Sequence, residues 1–233
     1  MTPGVKKKIW QNDYDGINAE RLTRVAQESG ESPRLGRAPA TSQREISHAA
    51  IELFLERGFE ETFVDDIAHA AGISRRTFFR YFPSKNDLPW GEFDELIGAL
   101  RQHLAEANPE TSIEAALRQA IIDVNDYPED ERVFHRHRMG LLLTVPSLAA
   151  HSTLRYSAWR QVVAEFVADR RSESIDSLAP QAIAWACLGL CISAYERWLA
   201  DDASDLADLL RSAFAAADSV FGVVDEPTYH AKY

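Results

Sequence analysis

At 233 residues the chain can bury a sizeable core, as one large domain or as a small domain beside a larger one, so it needs no disulfide scaffold. Its two cysteines, Cys187 and Cys191, stand four apart in an apolar stretch, the spacing of buried thiols on one helix face. A formal net charge of −11 excludes a chain that is basic throughout, so any contact with nucleic acid must be confined to a segment.

The charge is unevenly spread. Residues 1–33 hold five basic and five acidic side chains, residues 34–85 eight and seven, and residues 86–233 twelve and twenty-four. The acidity thus belongs to the C-terminal part. No apolar run follows Lys6, Lys7 and Lys8, so no secretory signal is expected and the cytoplasm is the expected location. The longest uncharged apolar-rich run, residues 181–194, is fourteen residues, shorter than a bilayer span, and no membrane partner is expected.

Residues 1–40 are rich in Gly, Ser, Pro and charge and read as a flexible arm with a short helix near 17–28. Ser42 with Glu45 then has the form of a capping box, and Ile46, Ala49, Ala50, Leu53 and Phe54 recur at helical spacing up to Gly58. Thr62 and Asp65 repeat the cap pattern for a second helix with Val64, Ile67, Ala68 and Ala71 on its apolar face, stopped by Gly72. Ser74 caps a third, which Pro83 ends. Two helices joined by a turn of about three residues containing glycine have the spacing of a helix-turn-helix. Beyond Ser84 the periodicity predicts helices near 85–106, 112–125, 130–143, 150–171, 179–200 and 204–222, broken at Asn108-Pro109, Pro128, Pro146 and Asp201-Asp202. With no alternating pattern for strands, the expected fold class is all-α.

The third helix carries the chemistry. SRRTFFRYFPSK, residues 74–85, holds four positive charges and four aromatic rings without an acid. With Ser74 as cap, Ile73 and Phe78 form a hydrophobic staple, and Phe82 joins Phe78 on the inner side. Arg76 with Arg80 and Thr77 with Tyr81 then fall on the outer side. A guanidinium and hydroxyl face suits phosphates and base edges; arginine donates bidentately to guanine. The plain alternative is a solvated amphipathic helix with an aromatic underside.

The segment TFVDDIAHAAGISRRTFFRYFPSKNDL, residues 62–88, resembles the DNA-binding signature of the TetR family of bacterial regulators. The resemblance implies phosphate contacts from Thr62 and Lys85, and recognition-helix positions at Arg75, Arg76, Thr77, Phe79 and Tyr81, to which Ser74, Arg80 and Arg44 are added as DNA-facing candidates. Two positions depart from the common pattern: Arg76 replaces the usual Gly, and Phe79 the usual Tyr, so the operator sequence stays open. RLGRAP, residues 34–39, resembles the basic arm of many members, and Arg37 is a candidate for the minor groove. The implied organisation is an arm over 1–40, a helix-turn-helix domain over 41–88, a helical ligand-binding and dimerisation domain over 89–223 and a tail over 224–233. The resemblance also implies a homodimer formed through about residues 179–222. LTVPSLAAHSTLRYSAWR and AYERWLADD further resemble the subgroup encoded beside mycofactocin biosynthesis genes.

Phe93, Leu104, Ile121, Phe134, Arg138, Leu142, Tyr156, Trp159 and Trp185 are the candidate lining of an apolar effector cavity among the middle helices. In RVFHRHRM, residues 132–139, His135 and His137 are two apart and cannot share a metal on one helix face. The cluster reads as a solvated basic face, or as an anchor for a phosphate or carboxylate head group. Many TetR regulators sense long-chain acyl thioesters, so the resemblance, with a basic patch beside an apolar cavity, implies long-chain acyl-CoA as a candidate effector, with no cofactor and no metal expected. An enzyme built on His48, His69, His103, His135, His137, His151 or His230 lacks every motif sought: H-E-x-x-H, a nucleophile elbow or a phosphate loop. A helical partner-binding protein without DNA affinity is the remaining alternative.

Overall fold

The computed structural model describes residues 42–91 and 93–221. The expected arm with Arg37, the helix near 17–28 and the tail with His230 lie outside the described residues. Within them the chain forms nine α-helices and one 3-10 helix and no strand, the all-helical class expected.

Helix α1 (Gln43–Arg57) opens on the capping box: Ser42 accepts from the Glu45 N–H at 3.1 Å, and the Glu45 carboxylate accepts from the Ser42 N–H at 2.7 Å. Helix α2 (Val64–Ala70) starts differently from expectation. Its N-cap is Phe63, whose N–H donates to the Asp66 carboxylate at 2.9 Å. Thr62 is turned away from the helix start and donates to the Gly58 carbonyl at 2.8 Å. After α2, Gly72 adopts φ +64, the Ile73 N–H donates to Ala68 O at 2.9 Å and the Gly72 N–H to His69 O at 3.1 Å. This left-handed turn satisfies two carbonyls that the end of α2 leaves over, and it sets the angle at which α3 (Arg75–Tyr81) leaves. Ser74 caps α3 by accepting from the Thr77 N–H at 3.1 Å.

The single helix expected over 85–106 is divided. Pro89 and the positive φ of Gly91 confine residues Lys85–Trp90 to a 3-10 helix, and α4 runs Phe93–Glu106. Next come α5 (Ile113–Val124), α6 (Glu129–Thr144), α7 (Pro146–Arg171), α8 (Leu178–Ala200) and α9 (Leu206–Phe221). Pro146, expected as a break, stands in the first turn of α7, where its missing N–H leaves no bond unmade.

Two apolar clusters organise the packing. The first joins α1 to α3 through Ile46, Phe54, Ile67, Phe78, Phe82 and Leu88, and it also takes in Leu141, Leu142 and Leu148 from the end of α6 and the start of α7. Residues of α6 and α7 thus pack into the same apolar core as the helix-turn-helix. The second cluster fills α4 to α9 around Leu100, Leu117, Ile121, Val163, Cys187 and Leu210. Both thiols are buried, and burial pushes Cys187 up to about 12, so it is inert at neutral pH. Asp87 fastens the 3-10 helix to α7: it accepts from Ser84 at 2.7 Å and from His151 and Arg155 at 3.1 Å each. Burial raises the Asp87 pKa, but these donors outweigh it and hold the carboxyl below its ordinary range.

Helix α8 has 23 residues and a mean hydropathy of 1.4 over its most apolar window, long and apolar enough to cross a membrane by length and composition. It packs against α6, α7 and α9, with Leu188, Cys191, Ala194 and Tyr195 buried. Its other side leaves Leu178 at 84% and Trp185 at 57% exposure.

Candidate nucleic-acid interface

Helix α3 is held from beneath and open above. Phe78 is 0% exposed and Phe82 1%, so two rings anchor a seven-residue helix that could not persist alone. Arg75, Arg76, Phe79 and Arg80 are exposed, and Thr77 and Tyr81 are partly so. The guanidinium of Arg75 pairs with Asp65 of α2 at 2.8 Å and lies 5.5 Å from the Phe79 ring; that of Arg80 lies 5.2 Å from the Tyr81 ring. At an exposed site such a pair is worth between 0 and about 1 kcal/mol, so phosphate can displace Asp65 at little cost.

Three sequence candidates stand elsewhere. Thr62 is fully buried, its hydroxyl committed to the Gly58 carbonyl, which removes its side chain from the reach of a phosphate. Lys85 donates to Phe59 O at 2.7 Å and Thr62 O at 3.0 Å, with its ammonium 4.3 Å from the Phe59 ring. It ties the α1–α2 loop to the 3-10 helix. Arg44 leans on α6, where it pairs with Glu131.

The candidate effector residues also divide. Phe93, Leu104, Ile121 and Trp159 are buried in the second core cluster, and Tyr156 packs against it. Leu142 belongs to the helix-turn-helix core. Trp185 faces outward with the Arg160 guanidinium 3.6 Å from its ring centroid, which takes it out of any internal cavity. Of the nine, Phe134 and Arg138 line a cavity of about 210 Å³ between α1, Gly91 and the start of α6; Arg44, His48, Tyr127, Glu131 and His135 complete most of its wall. His48 stacks on Phe134 with centroids 3.6 Å apart; its Nε2 is buried without a hydrogen bond and lies 3.8 Å from the Glu131 carboxylate. Burial, more than Glu131 offsets, lowers the His48 pKa.

The histidine cluster is not a solvated face. His135 is 3% exposed. Arg138 donates to His135 Nδ1 at 2.6 Å, so that nitrogen carries no proton; Tyr195 donates its hydroxyl proton to Asn125, so its oxygen accepts from His135 Nε2–H at 2.8 Å. The ring is thus a neutral Nε2–H tautomer in a chain running from α6 to α8 to the end of α5. Burial first, and Arg138 second, hold its pKa well below the ordinary imidazole value. Nothing in the sequence around His48, Glu131 or Asp87 marks them, because their partners come from distant helices.

The family model described as bacterial regulatory proteins, tetR family, matches residues 46–88, and that of the MftR C-terminal domain matches residues 111–222. The chain is 44% identical over 181 residues to the candidate mycofactocin biosynthesis transcriptional regulator MftR of Mycobacterium tuberculosis, covering 78% of this chain and 91% of that one. It shares its fold with the fatty acid degradation regulator FadR of Bacillus halodurans, at a TM-score of 0.56 and 18% identity, over 77% of this chain and 95% of that one. The FadR repressor of Thermus thermophilus, solved in complex with lauroyl-CoA, aligns at a TM-score of 0.53 and 24% identity, over 79% and 97% of the two chains. The chain is a transcriptional regulator that belongs to the TetR family and carries a C-terminal domain of the MftR type.

Proposed function

We propose that this regulator is a homodimeric repressor that places α3 of each protomer in successive major grooves of a pseudopalindromic operator and is controlled by a small effector. The observation that carries the reading is the division of α3 into a buried aromatic underside and an exposed face with Arg75, Arg76 and Arg80. Arg76 and Arg80 are assigned to base edges and phosphates, Thr77 and Tyr81 to phosphates, and Phe79, at 46% exposure, to thymine methyl groups. Ser74 acts as the cap that orients them. Arg37 is assigned to the adjacent minor groove. Thr62 and Lys85 act by holding the α1–α2 loop, and Arg44 by contact with α6.

One short helix contacts one half-site, so specific binding needs a second copy. The outward side of α8, with Leu178, Ala182, Trp185, Ala186 and Gly189 exposed, and Val220 of α9 at 70% exposure, supports dimerisation through these two helices. A DNA-binding repressor of this kind works in the cytoplasm. For the effector, long-chain acyl-CoA is supported by the fold shared with a repressor that holds lauroyl-CoA. Its chain would enter by parting α4, α5 and α7 around Phe93, Leu104, Ile121, Tyr156 and Trp159, whose rings and branches fill the core.

A gel shift against the DNA upstream of the gene tests the reading: binding is expected to be sequence-dependent and salt-sensitive, and binding that is indifferent to sequence would overturn it. Titration of the complex with acyl-CoA of increasing chain length tests the effector; unchanged DNA affinity at every length would remove it.

A further inference from the structure

None of the residues lining the cavity between α1 and α6 belongs to the buried apolar core of α4 to α9, and its wall is charged. The lining holds two arginines, Arg44 and Arg138, and one carboxylate, Glu131. With the histidines neutral, the lining carries one positive charge in excess. Among the described residues the partners of the Arg138 guanidinium are neutral: the His135 ring nitrogen, the Tyr127 hydroxyl at 3.1 Å and the Tyr127 ring. A partly buried guanidinium whose charge meets no acid is a ready donor to an oxyanion. Independently, His48 Nε2 lines the same space buried and without a hydrogen bond. In the neutral Nε2–H tautomer that nitrogen can donate to an oxyanion, while Phe134 and Tyr127 supply flat apolar walls in the same space.

We propose that this cavity is an oxyanion site, for a carboxylate or phosphate group on a compact carrier, which Arg138 holds and which competes with Glu131 for Arg44. The inference rests on the reading of the chain as an effector-controlled regulator, and it names where an effector acts on the DNA-binding helices. Arg44 belongs to the first turn of α1, and α1 shares one apolar core with α2 and α3. Glu131 belongs to the first turn of α6. An anion between Arg44 and Arg138 loosens the one link and replaces it with another, so α1 to α3 reseat on α6. The anion changes DNA affinity to the extent that it binds the two seatings differently.

Calorimetric titration of the full chain at low ionic strength with benzoate, inorganic phosphate and coenzyme A tests this. At least one is expected to bind with one site per chain, and the strongest of the three identifies a carboxylate, a free phosphate or a phosphate on a nucleotide as the source. Arg138→Gln is expected to weaken that binding by about tenfold or more, the loss of a charge-assisted hydrogen bond. Glu131→Gln, which removes the competitor, is expected to strengthen it several-fold. Failure of all three probes to bind at millimolar concentration would overturn the proposal, as would an unchanged affinity in Arg138→Gln. If that variant does not fold, Glu131→Gln decides alone, and an unchanged or weaker affinity in it counts against the site. DNA affinity measured by fluorescence anisotropy with saturating anion should shift in the native chain. Anion binding without any DNA binding would refute the regulator reading and leave the anion site standing, whereas DNA binding that ignores the anion would refute the coupling.

Discussion

Replacing His135 with glutamine should flatten the acid side of the stability profile. In the folded chain the His135 pKa lies well below its ordinary value because the ring is buried and because Arg138 stands beside it. Unfolded, it titrates near the ordinary value of about 6.5. Above that pH neither state is protonated there, and the neutral, hydrogen-bonded ring contributes fully. As pH falls below it the unfolded chain takes up a proton that the folded chain refuses, and stability is lost at up to about 1.4 kcal/mol per pH unit. Between about pH 7 and about pH 5 this can reach roughly 2 kcal/mol from one residue. The amide introduced by His135→Gln can still donate to the Tyr195 hydroxyl and accept from Arg138, which are the two bonds His135 makes. His48 and His137, whose pKa values burial also lowers, remain in both proteins and cancel in the difference. Urea denaturation of both proteins at the two pH values measures it. The variant is expected to lose less stability than the parent on acidification, by up to about 2 kcal/mol. An equal loss would show that His135 is charged or exposed when folded, and the assigned tautomer would be wrong.

Three further outcomes follow from particular residues. A Cβ added at Gly189 meets nothing within 4 Å in the protomer, so Gly189→Glu should fold normally yet run as a monomer in sedimentation velocity and lose operator affinity; an intact dimer would move the interface off this side of α8. Gly72→Ala forces a side chain into φ +64 and should cost roughly 1–2 kcal/mol, read as a lowered Tm, with Gly72→Asn milder. Lys85→Ala should lower Tm by releasing the loop carbonyls of Phe59 and Thr62 while leaving the salt dependence of DNA binding unchanged; a shallower dependence would restore a phosphate contact to Lys85.

The helix-turn-helix was legible because its signals are local. Ser42 with Glu45, Gly72, Ser74 and Pro83 each fix a few dihedral angles, and Phe78 and Phe82 point inward by helical spacing alone. The start of α2 was misread because Thr62 and Phe63 are both adjacent to a helix start, and only tertiary packing turns the hydroxyl of Thr62 inward to Gly58. The effector residues were the least legible part. A large apolar side chain that lines a cavity and one that fills a core look alike in sequence, and Phe93, Leu104, Ile121 and Trp159, proposed to part for an acyl chain, pack as core. Trp185 was misplaced for the opposite reason, since its surface position depends on which side of α8 meets α7 and α9. Arg138 and Phe134 drew attention because RVFHRHRM is unusual in itself, whereas Arg44, which lines the same cavity, is brought to Glu131 across 87 positions of chain.

The proposed regulation requires the exposed arginines of α3 to meet DNA as a symmetric pair. Its most direct test is the dependence of operator affinity on salt for the native chain and for a variant with Arg75, Arg76 and Arg80 all changed to Gln. Each phosphate neutralised adds about 0.9 to the slope of log affinity against log salt. The native dimer is predicted to show a slope steeper than that of the variant by about 2 or more, with sequence preference lost in the variant. Equal slopes and equal preference in a variant that still folds would contradict the account.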